Sequence, residues 1–204
     1  MYSFSDKDLN TKAKNKIMIG AVVPRPIALV STQSDEGVVN VAPFSYFNIV
    51  TYKPPMLSIA VQRVNGEVKD TARNILETKE AVVHVVDVEN VELANITAAR
   101  FAAEDSELNH AAFTTVESTV VKPPGLMESK VRFETSLYDS NVIYDGDEPT
   151  TDVLFLKIEH YHLDQDIYDV EKGYVDVEAL RAVSRLAGND YAEIGNIFTI
   201  TRPQ

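Results

Sequence analysis

Residues 22–51, VVPRPIALVSTQSDEGVVNVAPFSYFNIVT, constrain the fold more than any other part of the sequence. Two prolines flank Arg25 and hold the backbone there in an extended conformation that a helix interior does not accept. Apolar runs at 26–31 and 38–42 follow, and the turn-forming sequence SDEG at 34–37 separates them. This pattern predicts a β-hairpin.

The rest of the chain has mainly the two-residue periodicity of strands. Short apolar or alternating runs predict further strands at 56–64, 81–88, 130–138 and 152–163. Helical spacing, with helix start and stop residues, predicts helices at 70–80, 90–101, 106–113 and 177–187. Asp70 and Thr71 are the N-cap candidates of the first helix. Many strands with few short helices indicate a mainly β protein, an antiparallel barrel with helical insertions.

Composition limits the partners of the chain. With 204 residues and 45% hydrophobic content, the chain can bury one good core, and we expect one domain spanning 1–204. There are 31 acidic and 19 basic residues, a formal net charge of −12, and no run rich in lysine or arginine. Nucleic acids and anionic membrane surfaces are therefore not the predicted partners.

The absence of cysteine and of a targeting signal narrows the class further. A chain without cysteine forms no disulfide, thiolate nucleophile or iron–sulfur cluster. The N-terminal residues 1–16 are polar and lack the apolar core of a signal peptide. The most apolar segment, IMIGAVVPRPIALV, is interrupted by prolines and is too short to span a bilayer. These features predict a cytoplasmic protein.

No catalytic side chain and no metal site is predicted. The eight glycines do not form a G-x-G-x-x-G or phosphate-loop pattern, and no G-x-S-x-G sequence is present. His160 and His162 share one face of a strand, but two histidines without a third ligand favour a structural role. We expect His84, within an apolar run, to be a hydrogen-bonded core or pocket residue. If the protein is an enzyme, a cofactor carries the chemistry.

Polar groups cluster near the predicted strand ends. They comprise Arg25 between its prolines, the hydroxyls of Ser31 and Thr32, the aromatic and amide groups of 42–48, and the segment 63–74. The last segment places basic side chains at the start of a helix, which suits a phosphate. Each group also has an ordinary explanation as a surface charge, a core residue or a helix cap. Together they suit a ligand with a flat ring and an anionic tail.

The sequence resembles the flavin reductase-like proteins with an FMN-binding split barrel. The resemblance is carried, in the family's order, by PRPIALVST, NVAPFSYFN, PPMLS, KDTARNI and SRLAGNDY, and it runs from about residue 15 to the C-terminus. The most similar group is often labelled flavoprotein oxygenase or nitrilotriacetate monooxygenase component B-like. One departure is Ala187, where relatives often have glycine.

The resemblance implies a homodimer with FMN near the subunit interface. The residues implied to meet the isoalloxazine and ribityl chain are Thr32, Ser45, Tyr46, Phe47 and Asn48. Those implied to surround the ribityl phosphate are Arg63, Lys69, Asp70, Thr71 and Asn74, with Asp70 acting through its backbone or as a cap. Arg25, Arg185 and Tyr191 complete the cofactor-binding candidates, the last two from either subunit.

The resemblance also implies an FMN-dependent oxidoreductase. NADH or NADPH would deliver hydride to flavin N5, and electrons would pass to free flavin, oxygen or another small-molecule acceptor. A monooxygenase component is a candidate partner. Two alternatives stay open. One is an FMN-binding electron carrier or flavin reservoir without NAD(P)H turnover of its own. The other is a split barrel that binds haem through His84, His160 or His162.

Overall fold

The computed structural model describes residues 1–203; Gln204, the last residue of the predicted domain, lies outside the described residues. The helices are α1 Thr11–Ala21, α2 Asp70–Thr78, α3 Val91–Ile96 and α4 Val177–Leu180, with 3₁₀ turns at Asp6–Asp8 and Glu107–Asn109. The strands are β1 Arg25–Pro26, β2 Ala28–Gln33, β3 Val39–Phe44, β4 Phe47–Tyr52, β5 Pro55–Gln62, β6 Glu80–Val85, β7 Thr115–Val116, β8 Gly125–Leu126, β9 Val131–Asp145, β10 Glu148–Leu163, β11 Tyr168–Asp169, β12 Tyr174–Val175, β13 Val183–Arg185 and β14 Tyr191–Glu193.

Seven strands form the main sheet, in the order β3-β2-β6-β9-β10-β5-β4, and all neighbours are antiparallel. The two outermost strands, β3 and β4, are consecutive in the chain and only Ser45 and Tyr46 separate them. Two residues cannot cross a flat sheet seven strands wide, since neighbouring strands lie about 4.8 Å apart. The sheet therefore curls until its edges meet, which confirms the predicted antiparallel split barrel.

The barrel is packed on both of its faces. Ala28 and Val30 of β2 pack in a core with strands of the opposite wall and with Ile75 of α2. Leu29, between them in the sequence, belongs to a second apolar cluster with Val86. Because successive strand residues point to opposite faces, a strand buried on both sides has to be apolar throughout. This explains the unbroken apolar run PIALV.

The strand predictions are confirmed, and their largest error is one of length. The hairpin of β2 and β3, and strands β5, β6, β9 and β10, all form. Strand β9 continues to Asp145, well past the predicted end at residue 138, and it pairs with β10 in a long hairpin. The extension carries exposed large apolar side chains, including Ile143 and Tyr144. The alternation of buried and exposed residues is therefore lost there.

Three of the predicted helices are wrong in extent. Helix α3 ends at Ile96, and the predicted helix at 106–113 is only one 3₁₀ turn. Within 177–187, helix α4 stops at Leu180 and residues Val183–Arg185 form β13, which pairs with β1. A helix this short is marginal in isolation. The hydrogen bonds offered by β1 outweigh the local helical preference.

Helix α1 and strand β4 are the longest elements missed from the sequence, alongside several strands of two or three residues. None of the side chains of α1 is buried, so the helix has no apolar stripe on which a prediction could rest. Strand β4 is an outer strand of the sheet with most of its residues exposed. Asn48 and its neighbours therefore lie in a strand, where the sequence suggested a loop after one.

His84 is a core residue, as predicted. It is fully buried, and its Nδ1 lies 2.8 Å from the carbonyl oxygen of Leu29 while its Nε2 accepts a hydrogen bond from the backbone N–H of Leu126 at 2.9 Å. A neutral ring with the proton on Nδ1 satisfies both contacts. Burial lowers the pKa of His84 to about 3. His84 thus joins β2, β6 and β8 as an uncharged bridge.

His162 also has a structural partner. Its Nε2 lies 2.6 Å from Oε1 of Glu134, a buried carboxylate that also accepts hydrogen bonds from the backbone N–H groups of Thr119 and Val120.

No helix within residues 1–203 is long and apolar enough to cross a bilayer.

Candidate functional site

The largest cleft at the predicted site has a volume of about 600 Å³ and lies between β3, the start of α2 and the segment after α3. We call it the cationic cleft. Its basic lining residues are Lys69, Arg73 and Arg100, and its acidic ones are Glu67, Asp70 and Glu107. Two segments distant in sequence, 67–73 and 100–107, thus bring charged groups to one depression, beside Asn40 and Pro43 of β3.

The N-terminus of α2 opens into this cleft without a capping side chain. Its N-cap residue is Lys69, in extended conformation, and no side chain accepts a hydrogen bond from the first turn. The predicted cap by Asp70 or Thr71 is therefore wrong, and the Asp70 carboxylate pairs with Arg73 instead. The first backbone N–H groups of a helix have no partner inside it, and they favour an anion.

Among the described residues, Lys69 and Arg100 are the two basic ones lining the cleft that are not in an ion pair, whereas Arg73 pairs with Asp70. Neither Lys69 nor Arg100 makes an ion pair within 4.0 Å in the described part of the chain. Partial withdrawal from water and, next, the neighbouring charge of Arg100 lower the pKa of Lys69. A bound anion would oppose both effects, because a nearby negative charge favours the charged ammonium.

A buried polar network lies beside the helix, and two of its four residues, Asn40 and Thr71, line the cleft. Asn40 Nδ2 donates to Thr71 Oγ1 at 2.8 Å and, more weakly, to Thr32 Oγ1 at 3.4 Å. Asn74 Nδ2 donates to the same Thr32 hydroxyl at 3.1 Å. All four residues are buried, and Asn74 Oδ1 has no partner among the described residues. Three predicted site residues, Thr32, Thr71 and Asn74, are thus brought together by β2, β3 and α2.

Arg63 lies apart from the other predicted phosphate contacts. Its guanidinium is engaged by the buried carboxylate of Asp152, with two hydrogen bonds of 2.9 and 2.7 Å, and it donates to Gly66 O at 3.3 Å. These hydrogen bonds to Asp152 raise the pKa of Arg63. Arg63 does not line the cationic cleft. It holds the turn that leads to Lys69.

The connection between β3 and β4 separates two further cavities. One, of about 360 Å³, has mostly apolar surface and is lined by α1, by the Pro24–Pro26 segment and by residues 45–48; we call it the apolar cavity. The other, of about 160 Å³, is lined by Arg185, Tyr191, Asn95 and Ser45 among others; we call it the Arg185 cavity. Ser45 borders both, and Tyr46 is fixed because its carbonyl oxygen accepts the N–H of Ala60 at 2.9 Å.

The predicted residues of this connection differ in exposure. Phe47 is half-buried and packs against the barrel core. Asn48 is exposed, and its Oδ1 accepts the backbone N–H of Ile49 at 2.8 Å. Residues 45–48 all line the apolar cavity.

Arg25 is buried, and both Nη1 and Nη2 of its guanidinium donate to backbone carbonyls, while its Nε has no partner among the described residues. It donates to Ile19 O at 2.7 Å and Val22 O at 2.5 Å, at the end of α1, and to Leu186 O at 2.7 Å. The prolines on either side fix the direction of this side chain. Arg25 therefore joins α1 and the C-terminal segment to the barrel, and it forms one wall of the apolar cavity.

Arg185 and Tyr191 lie together in one chain. The guanidinium carbon of Arg185 is 4.3 Å from the centre of the Tyr191 ring, and the Tyr191 hydroxyl is 3.1 Å from Asn95 Oδ1. Strands β13 and β14 hold them opposite each other. The subunit that carries Ser45 thus also presents these two residues beside it.

Sequence reasoning missed several residues of the site. Asn40 was within the NVAPFSYFN motif, so a signal for it existed. Arg100 and Glu107 belong to none of the motifs. They reach the cleft because the segment that follows α3 folds back against it. Asn95 was placed on a helix without a role.

Comparison with known proteins agrees with this geometry. The sequence model of the flavin reductase like domain matches residues 19–178, and the chain belongs to that family. YwrF of Bacillus subtilis (strain 168) is 46% identical over 205 residues, covering 100% of both chains.

Two solved structures are similar over nearly their whole length. Nitrilotriacetate monooxygenase component B from Bacillus cereus has a TM-score of 0.95 and 39% identity, covering 98% of both chains. The 2-nitrobenzoate 2-nitroreductase NbaA of Pseudomonas fluorescens has a TM-score of 0.89 and 29% identity, covering 99% of this chain and 96% of that one. The family and these neighbours support a flavin-related oxidoreductase.

The role of Arg25 in joining α1 to the barrel can be tested by Arg25→Gln. The variant loses charged hydrogen bonds to buried carbonyls, so we expect the free energy of unfolding to fall by about 2–4 kcal/mol. Urea denaturation measures this loss, and hydrogen exchange should become faster in α1. Arg181→Gln, an exposed arginine paired with Glu193, should change stability by less than about 0.5 kcal/mol. Wild-type exchange rates in α1 of Arg25→Gln would contradict this role.

Proposed function

We propose that the protein is an FMN-dependent oxidoreductase that accepts hydride from NADH or NADPH and passes electrons to free flavin, oxygen or another small-molecule acceptor. The observation that carries this proposal is the cationic cleft, where an uncapped helix N-terminus, Lys69 and Arg100 meet beside the buried network of Thr32, Asn40, Thr71 and Asn74. This donor set fits a phosphate joined to a polar chain.

The other cavities fit the rest of such a cofactor. A ligand that follows β3 from the cationic cleft passes Pro43 and then reaches Ser45, which borders both smaller cavities. Residues 45–48 would hold the ring, and the apolar cavity would admit a second, flat reactant next to it. Bound flavin would supply hydride acceptance at N5. The chain's own residues bind, orient and exclude water.

The phosphate contacts are proposed in a revised form. Lys69, the backbone at Asp70 and Thr71, and Arg100 would meet the phosphate. Arg63 would act through the turn that it holds. Asn40 and Thr71, which line the cleft, would meet the polar chain, and Thr32 and Asn74 would hold these side chains from behind.

Homodimerisation is a further proposal. Strand β4 exposes Ile49, Val50 and Tyr52 with 73, 45 and 89% of their surface accessible, next to the apolar cavity. Large apolar side chains grouped on one edge strand favour association. A second copy would cover this edge and close the cavity. Sedimentation should give twice the 22.7 kDa mass of one chain; a monomer at micromolar concentration would contradict the proposal.

The similar structure from Bacillus cereus is named as component B of a nitrilotriacetate monooxygenase. By analogy, we propose that this protein passes reduced flavin to a monooxygenase component as its partner. The cytoplasmic location also stays a prediction.

The function is tested with the purified protein. FMN is added, excess is removed, and the absorption spectrum is recorded before and after NADH or NADPH is added without air. We expect a retained flavin band that bleaches. A retained band that does not bleach would favour the carrier or reservoir. If no band is retained, a steady-state assay with free flavin decides: turnover supports a reductase that uses flavin as substrate, and no turnover contradicts the proposal.

The phosphate site is tested by Lys69→Gln. Loss of one charge-assisted contact to the phosphate should weaken FMN binding about 10- to 100-fold, whereas riboflavin, which lacks the phosphate, should bind as to wild type. Quenching of flavin fluorescence measures both affinities. Lys79→Gln removes a charge at the opposite end of the same helix and should leave both unchanged. Equal weakening for FMN and riboflavin would contradict the assignment.

A further inference from the structure

Arg185 is held in place but keeps an unused donor. Its Nη2 donates to Gly188 O, and the guanidinium stacks on the Tyr191 ring. Its Nη1 is buried and has no hydrogen-bond partner among the described residues. A buried donor left unpaired is costly. The arrangement therefore suits an acceptor that arrives with a ligand.

The charge of Arg185 is also uncompensated. Arg185 lies directly opposite Arg25 in the β1–β13 pair, and like charges at opposed positions destabilise a sheet. Neither arginine pairs with a carboxylate within residues 1–203. Arg25 is nevertheless offset, because two of its three carbonyl partners lie at the negative end of α1. Arg185 has one carbonyl partner, Gly188 O, and it stacks on the ring of Tyr191.

The Arg185 cavity differs in its charge from the cationic cleft. Three basic residues of the cleft face three acidic ones. Among the described residues that line the Arg185 cavity, Arg185 is charged and no aspartate or glutamate accompanies it. This cavity is thus suited to one negative charge. With about 160 Å³, it admits an edge of a ligand whose remainder lies elsewhere.

The cavity lies along the route proposed for the flavin. It shares Pro43 and Ala98 with the cationic cleft, and Ser45 with the apolar cavity. A ligand with its phosphate at Lys69 and its ring at residues 45–48 would therefore pass the Arg185 cavity. We place Arg185 beside the ring, because its cavity includes Ser45 and does not include Lys69.

We propose that Arg185 is the charge partner of the flavin ring in its reduced form. The inference rests on the proposed function. Transfer of a hydride, two electrons and one proton, converts the neutral ring to an anion and the nicotinamide to its cation. A fixed cation in a cavity whose described lining contains no carboxylate stabilises the ring after that transfer more than before it. Arg185 would therefore raise the reduction potential of the bound flavin.

The test compares wild type, Arg185→Gln and Arg185→Lys loaded with FMN or riboflavin. Affinity for the oxidised flavin is measured by fluorescence, and the midpoint potential is measured with dithionite as reductant, so neither depends on NADH or NADPH. In Arg185→Gln we expect the preference for reduced over oxidised flavin to fall about tenfold, which lowers the two-electron potential by about 30 mV. Arg185→Lys keeps the charge and should retain most of the wild-type potential.

Matched controls separate a charge effect from a structural one. Arg181→Gln removes an arginine from the same segment that is exposed and paired with Glu193, and it should leave the potential unchanged. If Arg185→Gln does not fold, Arg185→Met supplies a second neutral variant with an apolar stem that stacks on Tyr191.

Three results would overturn the inference. An unchanged potential in the neutral variants would remove the role in reduction. Equal loss of affinity for oxidised and reduced flavin would make Arg185 an ordinary binding residue. A loss for FMN but not for riboflavin would make it a phosphate ligand. Wild type that neither binds nor reduces flavin would instead defeat the proposed function.

Discussion

The connection between β3 and β4 is the constraint on which the rest of the structure depends. Only Ser45 and Tyr46 join the two edges of a seven-stranded sheet, so the sheet has to close into a split barrel. Ser45 borders both smaller cavities, and Tyr46 lines the apolar cavity. Barrel closure and site formation are therefore one event, and the site is held by backbone pairing on both sides.

The net charge of the chain is −12, and the basic residues near the cavities differ in whether other groups of the protein engage them. Arg63 and Arg25 are engaged by Asp152 and by backbone carbonyls, and they fix a turn and a helix. Lys69, Arg100 and Arg185 have no carboxylate partner within residues 1–203. Among these five residues, Arg25 and Arg63 hold a helix and a turn in place, whereas Lys69, Arg100 and Arg185 line cavities without a salt-bridge partner in the described part of the chain. This difference supports a ligand whose anionic end binds in the cationic cleft and whose ring lies near Arg185.

Much of the fold could be predicted because buried strands and helix α2 have strong local patterns. The run before Thr32 is apolar because both faces of β2 are covered, and that signal survives in the sequence alone. Helix α1 and strand β4 have exposed side chains and gave no such signal. Residues 183–185 became a strand because β1 offers hydrogen bonds that local propensity cannot anticipate.

The sequence by itself determined the mainly β class, the hairpin, the family resemblance and the presence of Thr32, Thr71 and Asn74 in one motif set, because each is encoded in short-range patterns. Only the tertiary structure decided which cations are free. Arg63 and Lys69 are both basic residues near the start of α2, and their difference arises from Asp152, which lies 89 positions after Arg63. Arg100 and Asn95 join the site through a loop without a motif. Pairing and charge compensation depend on contacts between distant segments, and no local pattern records them.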